Sequence, residues 1–177
     1  SDAQEANEIV LDLARSRSVK RVVKSKSMVS EEIELNQALI SGGVDVVESD
    51  LGEYIIQLAG ETPSHIIAPA VHKTREQIGQ LLADKLGVPM TDDPVEMTAT
   101  ARSALREVFL QSEMGLSGVN FGVASTGSLA IVTNEGNASL TVTAPRIHVA
   151  MMGIERVVPT LDDLAVMLLV LARSATG

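Results

Sequence analysis

Short strand-like runs alternate with amphipathic, helix-like segments along most of this sequence, and that alternation limits the fold more than any other feature. Ile9, Leu11 and Leu13 belong to a first helix-like segment, and a strand-like run at residues 19–25 follows it. A second helix and a further strand-like run at residues 44–47 come next. Such an alternation favours an α/β fold in which helices cover a parallel sheet.

Capping signals predict where the helices begin. Ser30 is the predicted N-cap of the second helix, because Glu31 and Glu32 would then lie in its first turn, where acidic side chains favour the helix dipole. That helix is expected to end near Gly42. Other predicted features are a helix at residues 52–59, a strand at residues 66–70, and helix starts at Thr74, at Asp93-Pro94 and at Thr160.

The second half of the chain is richer in short strand-like segments. Residues 119–124, 129–133, 140–143 and 147–151 fit strands separated by Gly, Asn and Pro. The turn at residues 134–137 lies between two of these segments and predicts an antiparallel hairpin. The sheet is therefore predicted to be mixed, with parallel strands first and a meander later.

Composition supports one domain and excludes several functions. With 177 residues, 45% of them hydrophobic, the chain can build one core. The net charge of −9 argues against a nucleic-acid partner. No apolar run is long enough to span a bilayer, so no membrane insertion is expected. Residues 1–6 are polar and acidic rather than typical of a signal peptide, and a cytoplasmic location is predicted.

The absence of cysteine limits the chemistry further. The sequence contains no Cys, which excludes disulfides, zinc–thiolate sites and iron–sulfur clusters ligated in the usual way by this chain. The three His residues are too scattered to support a metal site. The sequence also lacks a P-loop and the GxGxxG, HExxH and GxSxG motifs, which argues against the familiar mononucleotide and NAD chemistries.

The first candidate site lies where the strand at residues 19–25 gives way to a helix. Lys24 and Lys26 are two residues apart, so on an extended chain they point to the same side and form a small cationic pocket. Ligands of open α/β sheets bind at the carboxyl ends of the strands, and a carboxylate or a phosphate would suit this pocket. Ser27 is either part of that site or only a helix cap. The alternative is a pair of solvent-exposed lysines, and the residues alone leave the two interpretations about even.

A second candidate site combines small hydroxyl residues, glycines and one carboxylate. Hydroxyls and main-chain N–H groups beside glycines can bind anionic oxygens. Glu135 is the carboxylate of this stretch and could act as a nucleophile or a base. The alternative, two tight turns of a meander, is the one that composition favours. The other candidate residues here are Thr126, Gly127, Ser128, Asn134 and Asn137.

A third candidate is a strand that carries Arg146 and His148 at alternating positions. The two side chains are expected on the same side, where Arg gives bidentate contacts to a carboxylate. His72 lies at the carboxyl end of the predicted strand at residues 66–70 and is a further candidate, whereas His65 lies at its start. For an isolated His on a strand the alternative is a structural hydrogen bond.

Seven stretches, spread in order over nearly the whole chain, form a recognisable set. They are KSKSMVSEE at 24–32, LGEYIIQL at 51–58, PSHIIAPA at 63–70, TGS at 126–128, TNEGN at 133–137, PRIH at 145–148 and GIERVVPT at 153–160. Together they resemble the lactate-utilisation (LUD) domain family, and most closely its iron–sulfur members. The resemblance implies a three-layer α/β/α sandwich with a mixed, mainly parallel sheet, like that of the NagB/RpiA/CoA-transferase superfamily. It also implies a single LUD domain over residues 1–177, cut from a longer protein and truncated at both ends.

The same resemblance implies a role in oxidising L-lactate to pyruvate together with sibling subunits. The redox cofactors would be two [4Fe–4S] clusters in a C-terminal region that this chain lacks, so that the chain itself would hold no cofactor and would be inactive alone. On this hypothesis the domain is a scaffold or binds a small carboxylate through Lys24, Lys26, Arg146 and the turn at residues 126–128. One alternative is a group-transfer or isomerase-like enzyme that uses Glu135 on phosphosugars or CoA esters. Another is a subunit-interaction module without a ligand.

Overall fold

The secondary structure is given by a computed structural model that describes residues 2–64, 68–133 and 135–176. The helices of these ranges are α1 (Ala3–Ser16), α2 (Met28–Glu32), α3 (Leu35–Ser41), α4 (Leu51–Ala59), α5 (Arg75–Leu86), α6 (Pro94–Gln111), α7 (Asn137–Thr143) and α8 (Leu161–Thr176), with a short 3₁₀ helix at Ile154–Arg156. The strands are β1 (Arg21–Lys24), β2 (Asp45–Glu48), β3 (Met114–Gly118), β4 (Phe121–Val123), β5 (Ser128–Ala130), β6 (Ile147–Met151) and β7 (Val157–Val158).

A four-stranded parallel sheet forms the centre of the fold. Its strand order is β2-β1-β3-β6, so the chain moves outward from β1 to β2 and then returns to the other side of β1. Val22 is in register with Val46 on one side and with Met114 on the other. This arrangement confirms the predicted α/β class and its mainly parallel sheet.

Helices cover both faces of this sheet, which gives the three layers. Val22 and Val46 pack on one face in a core cluster that includes Val10 of α1 and Leu39 of α3. The neighbouring residue of β1, Val23, packs on the opposite face in a cluster with side chains from α4 and α6. Because successive side chains of a strand point to opposite faces, one four-residue strand contributes to both cores.

A second, smaller sheet replaces the predicted meander. Its order is β5-β4-β7, with β4 and β5 antiparallel and β4 and β7 parallel. The hairpin therefore turns at residues 124–127, and the prediction of a hairpin at residues 134–137 is wrong. Of that predicted turn, Asn134 lies outside the described residues.

Residues 140–143 are helical, so the prediction of a strand there is wrong. The sequence Leu-Thr-Val-Thr has strand-like composition, but α7 begins after Gly136, which adopts a left-handed conformation with φ of 81°. The helix lies close against β3, where a Cβ on Gly115 would overlap the carbonyl oxygen of Thr141. Close packing against Gly115 therefore outweighs the strand propensity of residues 140–143, as tertiary contacts often do.

The start of the second helix also differs from the prediction. The N-cap is Ser27, whose Oγ accepts a hydrogen bond from the N–H of Ser30 at 3.3 Å, so Ser30 is not the cap. The predicted single helix is divided into α2 and α3, because Glu34 has a left-handed φ of 54°. An L-residue in that conformation interrupts the helical hydrogen-bond ladder.

The other helix starts agree with their capping signals. The Thr74 capping box is complete, since its side chain accepts from Gln77 N–H and the Gln77 side chain accepts from Thr74 N–H. Asp93 caps α6 ahead of Pro94, and Thr160 and Asp163 exchange reciprocal bonds at the start of α8.

The predicted strand at residues 66–70 is not observed in its described part. Residues 68–70 form a turn, whereas residues 65–67, including His65, lie outside the described residues. Within the part of the chain that the structure describes, no helix has both the length and the apolar character needed to cross a membrane.

Candidate functional site

A cleft of about 680 Å³ opens at the carboxyl ends of the strands of the parallel sheet. Its walls are formed by residues that follow β1, β2 and β3, by the end of β6 and by the start of α7. The strand order reverses between β1 and β3, and the crevice beside such a reversal is the usual ligand site of an open α/β sheet. Its polar or charged lining residues are Ser25, Lys26, Ser27, Asp50, Asn120, Thr133, Asn137 and Arg156.

Gly118 allows two chain segments at the floor of the cleft to approach each other closely. Gly118 ends β3, and a Cβ there would lie 3.2 Å from the carbonyl oxygen of Lys26 and 3.2 Å from the Cβ of Ser27. The end of β3 therefore lies so close to the segment after β1 that a side chain at position 118 would crowd it. The same segment supplies Ser27, which both caps α2 and lines the cleft.

Lys24 is buried and paired rather than facing the cleft. Its side chain is 0% exposed, and its Nζ lies 2.9 Å and 3.1 Å from the two carboxylate oxygens of Glu48 on the neighbouring strand. Asn36 Nδ2 donates to the same carboxylate at 2.8 Å. The ammonium of Lys24 is therefore neutralised inside the protein, and this side chain does not line the cleft.

Lys26 lines the cleft and is also paired with a glutamate. Its Nζ lies 2.7 Å from Glu53 Oε1, and its side chain is 29% exposed. Its main-chain N–H donates to Asp50 Oδ2 at 2.7 Å. The side chain and the main chain of Lys26 thus tie the segment after β1 to the start of α4.

Further carboxylates surround these lysines. Burial raises the pKa of Glu31, and the nearby ammonium of Lys24 opposes part of that rise. Burial also raises the pKa of Glu135, and the negative charges of Asp50 and Glu53 raise it further. Glu135 therefore lies within electrostatic reach of the cleft wall, although its side chain remains largely exposed. The carboxyl ends of β1 and β2 carry both signs of charge and not lysines alone.

Asn137 is brought to the cleft by the helix that the sequence did not predict. It is the first residue of α7, it lines the cleft, and its Nδ2 contacts Ser49 Oγ at 3.4 Å. Ser49 Oγ in turn lies 3.3 Å from Thr141 Oγ1. This chain of polar contacts links the end of β2 to α7 beneath the cleft. Asn134, the other amide of the predicted site, lies outside the described residues.

Arg146 and His148 are not brought to the cleft. Arg146 precedes β6 and lines a separate small cavity with Arg17 and Glu113. The cleft is at the other end of β6, at Met151, and five residues of extended strand span about 16 Å. His148 Nε2 lies 2.8 Å from Ser117 Oγ, and burial lowers the pKa of this imidazole.

The hydroxyl turn and His72 also lie outside the cleft lining. Thr126, Gly127 and Ser128 close the hairpin between β4 and β5, where Gly127 has a left-handed φ of 68° and Thr126 Oγ1 donates to Ser128 Oγ at 2.9 Å. His72 lies in the segment between α4 and α5, with its ring nitrogens 2.8 Å from Ser64 Oγ and 2.8 Å from Glu61 Oε2.

The candidate residues named from the sequence leave out five polar or charged residues of the cleft wall, namely Ser25, Asp50, Asn120, Thr133 and Arg156. Asp50 could have been found, because it follows β2 at the same edge of the sheet as Lys26. Asn120 and Arg156 carried no comparable signal. Asn120 Oδ1 accepts from the N–H of Val132 at 2.8 Å, and the exposed Arg156 makes a loose ion pair of 3.4 Å with Glu155.

Among the described residues, no group of three or more His, Asp or Glu is arranged to hold a metal ion.

Comparison with known proteins identifies relatives over the whole chain. Residues 1–177 match the LUD domain family. The sequence is 53% identical over 175 residues to lactate utilization protein B of Bacillus pumilus, an alignment that covers 98% of this chain and 37% of the relative. Proteins with the same name in Bacillus thuringiensis and Bacillus cereus are 53% identical over 174 residues, with the same coverage.

The chain thus spans little more than a third of the length of these relatives. No solved structure is significantly similar to it. The family match extends from the first residue to the last, and the relative from Bacillus pumilus is 53% identical over 98% of the chain. The chain therefore belongs to the LUD domain family.

Proposed function

We propose that this domain binds a small carboxylate in the cleft and acts as the substrate-binding or scaffold part of a protein that takes part in oxidising L-lactate to pyruvate. The observation that carries the proposal is the position of the cleft at the carboxyl ends of the parallel strands, beside the reversal of strand order. The relatives named lactate utilization protein B support the choice of a hydroxy acid or keto acid as ligand.

Arg156 is the cation best placed to receive such a ligand. The side chains of Lys24 and Lys26 already pair at 2.9 Å and 2.7 Å with glutamates that are largely buried. Arg156 also lines the cleft, but its ion pair with Glu155 is longer, at 3.4 Å, and both partners are more than half exposed. Displacing an exposed pair costs little, and a guanidinium can hold a carboxylate through two parallel hydrogen bonds.

Polar groups on the cleft wall can form hydrogen bonds with the other polar atoms of the ligand. Ser27, Asn120 and Asn137 offer hydroxyl and amide groups on the cleft wall. The hydroxyl or keto oxygen beside the carboxylate of the ligand needs such donors and acceptors once water is excluded. Lys26 orders the wall through its bonds with Glu53 and Asp50 and need not contact the ligand.

The redox part of the reaction belongs outside this chain in our proposal. The sequence has no cysteine, so its residues do not fit the usual ligation of an iron–sulfur cluster. Two [4Fe–4S] clusters would lie in another region of a longer polypeptide, and sibling subunits would complete the system. The contribution of this domain is to bind and orient the acid.

Titration calorimetry with L-lactate and with pyruvate at millimolar concentration tests the proposal. We expect saturable binding that Arg156→Gln weakens about tenfold, a loss of about 1.4 kcal/mol, because one charged bidentate contact is removed. Arg102→Gln is the matched control, since Arg102 is an exposed arginine of α6 that does not line the cleft. The proposal fails if neither acid gives heat, or if the two variants bind equally well.

A second candidate function is a group-transfer or isomerase-like activity on CoA esters or phosphosugars. The observation that favours it is the raised pKa of Glu135 beside Asp50 and Glu53, since carboxyls with a perturbed pKa are candidates for a nucleophile or a general acid or base. With an acyl-CoA, this candidate predicts a covalent adduct that hydroxylamine or borohydride traps. Glu135→Ala should abolish the adduct, and the absence of any adduct with the wild type removes this candidate.

A further inference from the structure

Helix α8 is apolar on two opposite sides. On its inner side Leu164, Leu168 and Leu171 pack against the cluster formed by Phe121 and other buried side chains of the small sheet. A surface helix normally carries one apolar stripe and a polar face opposite to it. The outer side of α8 departs from this rule, because Val166 is 59% exposed and Leu169 is 74% exposed.

The exposed side has a regular order of charge and apolarity. Asp162, Val166, Leu169 and Arg173 are spaced by four, three and four residues, so they lie along one stripe of the helix surface. The stripe is acidic at its first position, aliphatic at its two middle positions and basic at its last. We call these four residues the outer stripe of α8.

We propose that the outer stripe pairs antiparallel with the outer stripe of a second copy of this chain. Reversing the stripe places Asp162 opposite Arg173 of the partner subunit and Val166 opposite Leu169 of the partner subunit. Each of these contacts occurs twice around a two-fold axis, as an isologous interface requires. The pairing covers the two aliphatic side chains of each stripe and neutralises all four charges of the two stripes.

Charge explains why a second copy suits this surface in spite of the overall repulsion between copies. The chain carries a net charge of −9, so two copies repel each other, but salt screens charges that are farther apart than about 8 Å, and the charges at the contact itself then decide the pairing. The outer stripe carries one acidic and one basic group at opposite ends. An antiparallel pair is therefore neutral at the contact, whereas a parallel pair would place like charges together.

Sedimentation equilibrium of the 177-residue chain tests the pairing. We expect a reversible monomer–dimer equilibrium whose dissociation constant rises at least about tenfold in Leu169→Lys. Leu110→Lys is the matched control, because Leu110 is an exposed leucine of α6 with 66% exposure. A wild type that stays monomeric at high concentration overturns the proposal and leaves this face for another part of a longer polypeptide. A Leu169→Lys variant that still dimerises overturns it as well.

A charge exchange separates the specific pairing from non-specific association. Asp162→Lys and Arg173→Glu each place like charges opposite each other in a homodimer, so each variant alone should be mainly monomeric. An equimolar mixture restores two opposite-charge contacts and should form a heterodimer. Folding of both variants is checked by circular dichroism, and failure of the mixture to associate contradicts the antiparallel register.

Discussion

The ion pair between Lys24 and Glu48 provides the sharpest prediction about stability. The side chain of Lys24 is 0% exposed and that of Glu48 is 9% exposed, with the ammonium 2.9 Å and 3.1 Å from the two carboxylate oxygens. Glu48→Gln keeps the shape of the side chain and an acceptor oxygen but removes the charge. It therefore leaves a buried ammonium without its paired carboxylate.

The size of this effect follows from the general cost of a buried charge that has lost its partner. Removing one partner of a buried ion pair typically costs about 3–5 kcal/mol. We therefore expect Glu48→Gln to lower the free energy of unfolding by about 3–5 kcal/mol and the melting temperature by about 6–20 °C.

Urea unfolding followed by circular dichroism measures this loss, and the chain offers a matched control. Arg21 and Asp45 pair at 2.6 Å on the same two strands, but their side chains are 35% and 52% exposed. Asp45→Asn should cost less than about 1 kcal/mol, because water screens the pair. Adding Lys24→Met to Glu48→Gln should recover at least about half of the loss. Equal costs for Glu48→Gln and Asp45→Asn would refute the reasoning.

Three other perturbations follow from the structure. Gly115→Ala should destabilise the fold by about 1–3 kcal/mol or more in urea unfolding, because the new methyl group would overlap the carbonyl oxygen of Thr141; wild-type stability would contradict the packing of α7. Thr74→Ala should cost about 1 kcal/mol by the same assay through loss of the capping box with Gln77, and an unchanged unfolding midpoint would count against that cap. Burial and neighbouring carboxylates raise the pKa of Glu135, so the folded state holds this proton more tightly than the unfolded state does. Glu135 therefore lowers the free energy of unfolding as the pH rises through and above the ordinary pKa of a glutamate. Glu135→Gln should accordingly raise stability at neutral pH and have little effect below pH 4 in a series of urea melts; a stability gain that does not depend on pH would contradict this.

Only those parts of the parallel half of the fold whose signals are local could be predicted, and neither the cap at Ser30 nor the strand at residues 66–70 was among them. Amphipathic spacing, glycine stops and the caps at Thr74 and Asp93 each depend on residues a few positions apart, and the structure confirms them. The predicted strand at residues 140–143 failed because a long-range contact decides its conformation. The lack of a side chain at Gly115 lets α7 approach β3, and nothing near residue 140 in the sequence reveals this.

The candidate site could be predicted only where a general rule of the fold applies. The rule that ligands bind at the carboxyl ends of parallel strands indicated Lys26 and Ser27, and both residues line the cleft. It could not separate Lys24 from Lys26, because the partner of Lys24 is fixed by the register of β1 with β2, 24 residues further along the chain. Arg156 follows β6 in a short helical turn, and no sequence pattern assigns such a residue to the cleft.

We propose that the cleft at the carboxyl ends of the strands is the ligand site of this domain. The most direct measurement is a titration of the isotope-labelled chain with L-lactate, followed by the amide chemical shifts of the protein. We expect saturable shifts confined to the cleft, at residues 25–29, at residues 118–120 and near Asn137 and Arg156. Shifts centred instead on Arg146 and His148 at the edge strand β6, or no shifts at millimolar lactate, would contradict it.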